Sequence, residues 1–186
     1  MVPENYRYLP GTTSFSKLTE YFSIRDEIDS LCLKLEEIHK EHFACSPGCH
    51  KCCMDFSIFP IEFYSILKEK NGQKTSINQN TSGEDCVFLI EGLCTIYKSR
   101  PVICRTHGLP LLFMGEDQWE LSYCELNFTG RNMPDLNESN TFPQDRFNSS
   151  LFMINREFVN SLENKPYSET DLIPLKDLGV LIGRSN

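Results

Sequence analysis

Cys45-Ser-Pro-Gly-Cys49-His-Lys-Cys52-Cys53 sets four cysteines into nine residues, and four more follow singly at Cys86, Cys94, Cys104 and Cys124. A thiol that is neither bridged nor metallated is a liability in a small protein. Eight of them, arranged as one tight knuckle and four spaced partners, therefore call for disulfides or for metal. Ser46-Pro47-Gly48 is a turn signal, which lets the chain fold back and aim its sulfurs at one point.

The first ten residues, Met-Val-Pro-Glu-Asn-Tyr-Arg-Tyr-Leu-Pro, carry neither the basic nor the apolar region of a secretory leader. No later run approaches the roughly 18 to 20 apolar residues of a membrane span. The expectation is a cytoplasmic protein, and in that reducing compartment a cysteine framework reads as metal-binding or catalytic rather than bridged. The total of nine cysteines is odd, which also argues against complete pairing.

At 186 residues and 40% hydrophobic, the chain suits a single domain over residues 1–186 with a modest core. Its net charge of −8 argues against general affinity for nucleic acid or for anionic membrane. There is no Gly-rich phosphate loop, no Gly-x-Ser-x-Gly elbow and no repeat of 20 to 50 residues. The chemistry rests with the cysteines.

Around the knuckle the chain divides clearly. Ile24, Ile28, Leu31, Leu35 and Ile38 recur at helical spacing, which predicts an amphipathic helix over about 24–42 with Asp26, Glu27, Glu36, Glu37 and Lys40 on other faces. Cys32 lies on that helix and reads as a small buried hydrophobe. Pro60 opens a second helix that Asn71-Gly72 closes. Residues 71–85 are polar and predict a mobile loop. Glu91-Gly92 marks a hairpin that carries Cys86 and Cys94 towards each other, and Arg100-Pro101 starts a helical turn bearing Cys104. A second hairpin runs from Leu109 to Cys124, turning at Gly115-Glu-Asp-Gln. Irregular chain follows over 127–140, then a helix over about 149–162. The predicted class is α+β, helical at both ends, with an irregular cysteine-rich hairpin centre organised by metal. The metal-binding core spans about 41–126, and a C-terminal helical extension spans about 141–186.

Eight thiols fill two tetrathiolate sites, or one larger iron-sulfur site with spares. Adjacent Cys52 and Cys53 point to different sides of the backbone, which makes the pair a divider between two centres or between a ligand and a neighbour. The spacing Cys45-x3-Cys49-x2-Cys52 also occurs in radical S-adenosylmethionine enzymes, but Lys51 stands where those have an aromatic residue and no strand-helix repeat follows. The four spaced cysteines, separated by 7, 9 and 19 residues, do not form the second knuckle of a zinc ribbon.

Cys45-x3-Cys49-x2-Cys52-Cys53, Cys86-x-Phe88-Leu89 and Gly92-x-Cys94-x-Ile96-Tyr97-x2-Arg100-Pro101-x2-Cys104-Arg105 together resemble the YkgJ-type cysteine-cluster family over about residues 41–126. That resemblance implies a zinc- or iron-chelating domain. A flagellin lysine methylase carries a similar domain in a longer chain, so the resemblance also implies an alternative: an iron-sulfur enzyme or redox protein, with methyl transfer as one such activity. A pure thiol redox sensor is the third reading, weakened by the lack of an isolated C-x-x-C beside a βαβ unit.

The expected metal ligands are Cys45, Cys49, Cys52, Cys53, Cys86, Cys94, Cys104 and Cys124, and the expected cofactor is zinc or an iron-sulfur cluster. Four thiolates around Zn²⁺ or [4Fe-4S]²⁺ leave about −2 of charge, which needs donors and counter-charge. Arg100 and Arg105 flank Cys104 and are candidates for both. His50 and His107 are alternative ligands. Phe88 and Tyr97 read as hydrophobic cover.

Overall fold

The computed structural model describes residues 12–79, 85–130 and 132–183. The first eleven residues, on which the leader reading rests, and residues 80–84 of the polar loop lie outside them.

Helix α1, Thr12–Ile38, begins well before the predicted start. Leu18 and Tyr21 are buried and extend the apolar stripe towards the N-terminus. The stripe then passes through Ile28, Cys32, Leu35 and His39, a 4-3-4 spacing that leaves Ile38 off the seam and 48% exposed. Its acidic residues and Lys40 face outwards as expected. At the C-terminal end the chain tightens into a 3₁₀ turn over Lys40–His42.

Helix α2, Pro60–Lys70, has the predicted bounds. Glu62 reaches back to accept the Phe59 N–H at 3.3 Å, while Asn71 caps the other end. Helix α3 is the short Val102–Thr106 segment, and α4, Gln144–Ser161, starts five residues before the expected helix. The C-terminal tail closes with α5, Leu175–Gly183.

Seven short strands connect these helices. Strand β1, Ser57–Ile58, pairs antiparallel with β7, Ile173–Pro174, which ties the chain after the knuckle to the start of α5. Strands β2, Leu89–Ile90, and β3, Leu93–Cys94, form the first hairpin. Glu91 and Gly92, with φ of 51° and 77°, supply the two positive torsions of its tight turn. The second hairpin pairs β4, Leu111–Met114, with β5, Trp119–Ser122, and β6, Phe142–Pro143, joins β4 in parallel. The class is α+β, as predicted.

One core gathers residues from every helix: Tyr21 and Leu35 of α1, Ile61 and Tyr64 of α2, Val102 of α3, Phe147 and Phe158 of α4, and Leu178 of α5. Fully burying such side chains contributes roughly 1.5 to 3 kcal/mol each. Phe88, Ile96 and Leu109 of the cysteine-rich centre belong to the same core, so that region has more apolar support than its composition suggests. Arg105 fastens α1 to this centre. Its guanidinium holds both oxygens of Asp29 at 2.5 Å and donates to the carbonyls of Lys98 and Arg100 at 2.6 and 2.8 Å.

Candidate metal centre

The knuckle is two successive turns. The Cys49 N–H donates to the Ser46 carbonyl at 2.9 Å, with Pro47 and Gly48 as the central pair. Gly48 has φ +95°, the left-handed torsion that the third position of a type II turn requires. The Cys53 N–H then donates to the His50 carbonyl at 2.9 Å. His50 Nδ1 lies 2.8 Å from the Gly48 carbonyl, so this exposed imidazole engages the turn itself. His107 is also exposed and lies beside Phe56, and partial burial holds it below its ordinary value.

Backbone pairing brings the distant cysteines in. The segment after β5 returns along the knuckle entrance, where the Phe128 N–H donates to the His42 carbonyl at 2.8 Å. Asn127, only 1% exposed, accepts the Ala44 N–H and donates to the Gly108 carbonyl, both at 2.8 Å. Its amide also lies 3.5 Å from Cys45 Sγ, and its own N–H donates to the Cys124 carbonyl. Cys124 is thereby carried to Cys45. Gly108 completes this wall, since a methyl added there would sit 3.2 Å from Cys45 Sγ.

On the other side, an antiparallel bridge between Met54 and Asp85 sets Cys86 beside Cys53. The first hairpin turns Cys94 back to the same place. The Leu89 N–H donates to the Cys86 carbonyl at 3.0 Å. Burial raises both the Cys86 and the Cys94 thiol, and the nearby backbone amides oppose that rise. Cys104 arrives on α3, whose start is fixed by Glu62: this buried carboxylate accepts the Val102 N–H at 2.8 Å.

The segment contacts above and the mutual electrostatics group the eight sulfurs into two neighbouring sets, coupled to each other through Cys52 and Cys53. Burial raises Cys45, the Asn127 hydrogen bond opposes that rise, and Cys124 and Cys49 add to it. Cys52 is raised by burial and then by Cys49, Cys45 and Cys124. Burial pushes the Cys53 thiol up to about 12, with Cys52, Cys86 and Cys94 adding. Burial also raises Cys104, reinforced by Cys86, Cys94, Glu62 and Cys53. One set is Cys45, Cys49, Cys52 and Cys124, and the other is Cys53, Cys86, Cys94 and Cys104. The vicinal pair gives one sulfur to each.

The donor chemistry fits a soft or borderline metal, because thiolate ligands select zinc and iron-sulfur centres. The sulfurs stand as neighbours, not as a closed cage: among the described residues no three Cys, His, Asp or Glu side chains converge closely enough to hold an ion. Binding therefore requires each set to draw together, with the ion itself supplying the organising energy.

The two arginines differ. Arg105 spends its hydrogens on Asp29 and two carbonyls, so it braces the fold and is not a free donor to sulfur. The buried Nε of Arg100 has no hydrogen-bond partner, and its charge lowers Cys94 against the rise from burial. Its Nη1 donates to the Tyr97 carbonyl at 3.4 Å. Tyr97 is 62% exposed and stacks on Arg100 at 3.7 Å, so it does not cover the sulfurs, whereas Phe88 is fully buried. Cys32 is 4% exposed, belongs to neither set, and lies 3.7 Å from the Arg105 carbonyl.

Glu62 and Asn127 went unrecognised in the sequence. The legible trace of Glu62 was its place three residues after Phe59, where a carboxylate can cap its own helix. Asn127 carried no local signal beyond its place three residues after Cys124.

Residues 44–125 match the family model described as "CxxCxxCC: Putative zinc- or iron-chelating domain". The match supports metal binding by this segment. It holds all eight cysteines of the two sets. No curated protein and no solved structure matches the chain. Among the described residues no helix is long and apolar enough to cross a membrane.

Proposed function

We propose that the chain chelates zinc or iron in two separate four-thiolate centres, one from Cys45, Cys49, Cys52 and Cys124 and the other from Cys53, Cys86, Cys94 and Cys104. The observation that carries this reading is the four-and-four division of the sulfurs, with the Cys52-Cys53 peptide bond as the divider. Four sulfurs fill a tetrahedral sphere, which favours a closed structural or storage centre over one that keeps a position open for substrate. The iron-sulfur enzyme reading, including methyl transfer, requires one ligand fewer at the reactive iron than each set provides. The narrower YkgJ-type kinship, carried by Arg100-Pro101 and Cys104-Arg105, and a reducing cytoplasmic setting belong to the same proposal.

Metal analysis of protein purified without oxygen tests it. The expected content is about two zinc ions per chain with a colourless solution, or about eight irons with a broad band near ~400 nm if each set holds a cubane. Serine at Cys49 or at Cys94 should each remove one centre and spare the other. Full metal content in both variants would refute the assignment.

A further inference from the structure

The two sulfur sets sit in unlike surroundings. Residues 45–51 are exposed without interruption, including Cys45 and Cys49 themselves. A side-chain carbon built at Gly48 would meet nothing within 4 Å, so the outer face of the knuckle opens to solvent. Lys51, also exposed, adds a positive charge beside that opening. The second set lies deeper: Cys86 is 9% exposed, and Cys53, Cys94 and Cys104 are half-buried, as are Cys52 and Cys124 of the first set, but Cys53, Cys86 and Cys94 also belong to or pack against the main core, next to buried Phe88 and Ile96.

We infer that the Cys45, Cys49, Cys52 and Cys124 centre is an exchange site that passes its ion to an incoming thiolate ligand, whereas the Cys53, Cys86, Cys94 and Cys104 centre retains its ion. This rests on the two-centre reading above. Ligand exchange at a filled tetrahedral ion needs an approach path for the entering sulfur. The exposed knuckle provides one and the embedded set does not. In each step one metal-sulfur bond to the entering thiol forms as one bond to a protein sulfur breaks, and the proton of the entering thiol passes to the released cysteine. No oxidation state changes, and the charge on the centre is conserved. Lys51 favours the entering anion.

The test uses the full chain loaded with zinc, its content counted by native mass spectrometry. A chromophoric zinc acceptor, 4-(2-pyridylazo)resorcinol, then reports release, with and without glutathione or a metal-free four-cysteine peptide. Release should be biphasic, one ion leaving about 100-fold faster than the other, the separation expected when one site is reached directly and the other only through local opening. At least one of the two thiol reagents should accelerate the fast phase: glutathione doing so identifies a small thiol as sufficient, and the peptide alone doing so identifies a protein-borne thiolate. Alkylation mapped by peptide mass spectrometry should mark Cys45, Cys49, Cys52 and Cys124 during the fast phase while the other four stay protected, a readout that needs no variant to fold. In Cys124→Ser the fast phase should vanish and the slow one persist. Single-phase release of both ions, a fast phase indifferent to both thiol reagents, or alkylation of Cys86 and Cys104 in step with Cys45 would overturn the inference. A chain that retains no zinc after loading would refute the chelating reading itself, and this one with it.

Discussion

Replacing Asn127 with alanine removes the side chain that joins three separate segments around Cys45. Its carbonyl accepts the Ala44 N–H and its amide donates to the Gly108 carbonyl, both at 2.8 Å. Each backbone group left without a partner costs roughly 1 to 3 kcal/mol when water cannot replace it. Ala44 is exposed, so water recovers much of that loss, while Gly108 is buried and bears it in full. The net expectation is about 2 to 4 kcal/mol, a large share of a domain stability of roughly 5 to 15 kcal/mol. Urea unfolding of the zinc-loaded protein measures it. Metal content should fall selectively, with the Cys45 set depleted and the Cys53 set kept. Asn127→Asp keeps the acceptor for Ala44 but turns a carboxylate oxygen towards the Gly108 carbonyl, so it should be no better than alanine. A stability change below about 0.5 kcal/mol with unaltered metal content would show that Asn127 does not organise this set.

Three further outcomes follow from the same contacts. Burial raises Glu62 to about 7 from 4.5, so the folded chain holds a proton that the unfolded chain has already lost across that interval. Stability should therefore fall as pH rises from about 4.5 to 7, by about 3 kcal/mol in all, and Glu62→Gln should flatten that part of the urea-midpoint profile; an equally steep profile in the variant would exclude Glu62 as its source. Burial also raises the Cys45, Cys52, Cys53, Cys86, Cys94 and Cys104 thiols, so they carry protons at pH 7 that metal must displace. Apparent affinity should weaken as pH falls, and calorimetry in two buffers should show about four protons released per centre, whereas affinity independent of pH would contradict thiol ligation. Finally, Cys32→Ser should keep full metal content and lose roughly 1 to 3 kcal/mol of stability; loss of an ion would place Cys32 among the ligands.

Local signals made some elements legible. Pro60 and Asn71-Gly72 bracket α2 because each acts on its own backbone, and Glu91-Gly92 marks a hairpin for the same reason. The early start of α1 was less visible, since Leu18 and Tyr21 reveal their inward face only when α2 and α4 stand opposite. Strands β1, β6 and β7 have two residues each and pair across long separations, so no periodicity announces them. Spacing marked the eight cysteines as candidate ligands and offered Cys52-Cys53 as a divider. It could not say which later cysteine lies near which side, because the Met54–Asp85 bridge and Asn127, contacts between segments far apart in the chain, bring them there. Arg105 shows the same limit: its position beside Cys104 suggested a sulfur partner, and the fold commits it to Asp29 instead.

The Asp29–Arg105 pair ties the N-terminal helix to the cysteine-rich segment. Arg105 lies inside the segment that matches the metal-chelating family model, and its side chain is 3% exposed, while Asp29 lies on α1, outside that segment. Asp29 is 40% exposed and Arg105 keeps the Lys98 and Arg100 carbonyls, so losing the pair costs less than the roughly 3 to 5 kcal/mol of a fully buried one. A proteolytic cut or gene fusion that separated α1 from residues 44–125 would take away that guanidinium's counter-ion. A piece cut at the first cysteine should therefore unfold at lower urea than one that keeps α1, and equal midpoints would show that the pair does not join the two.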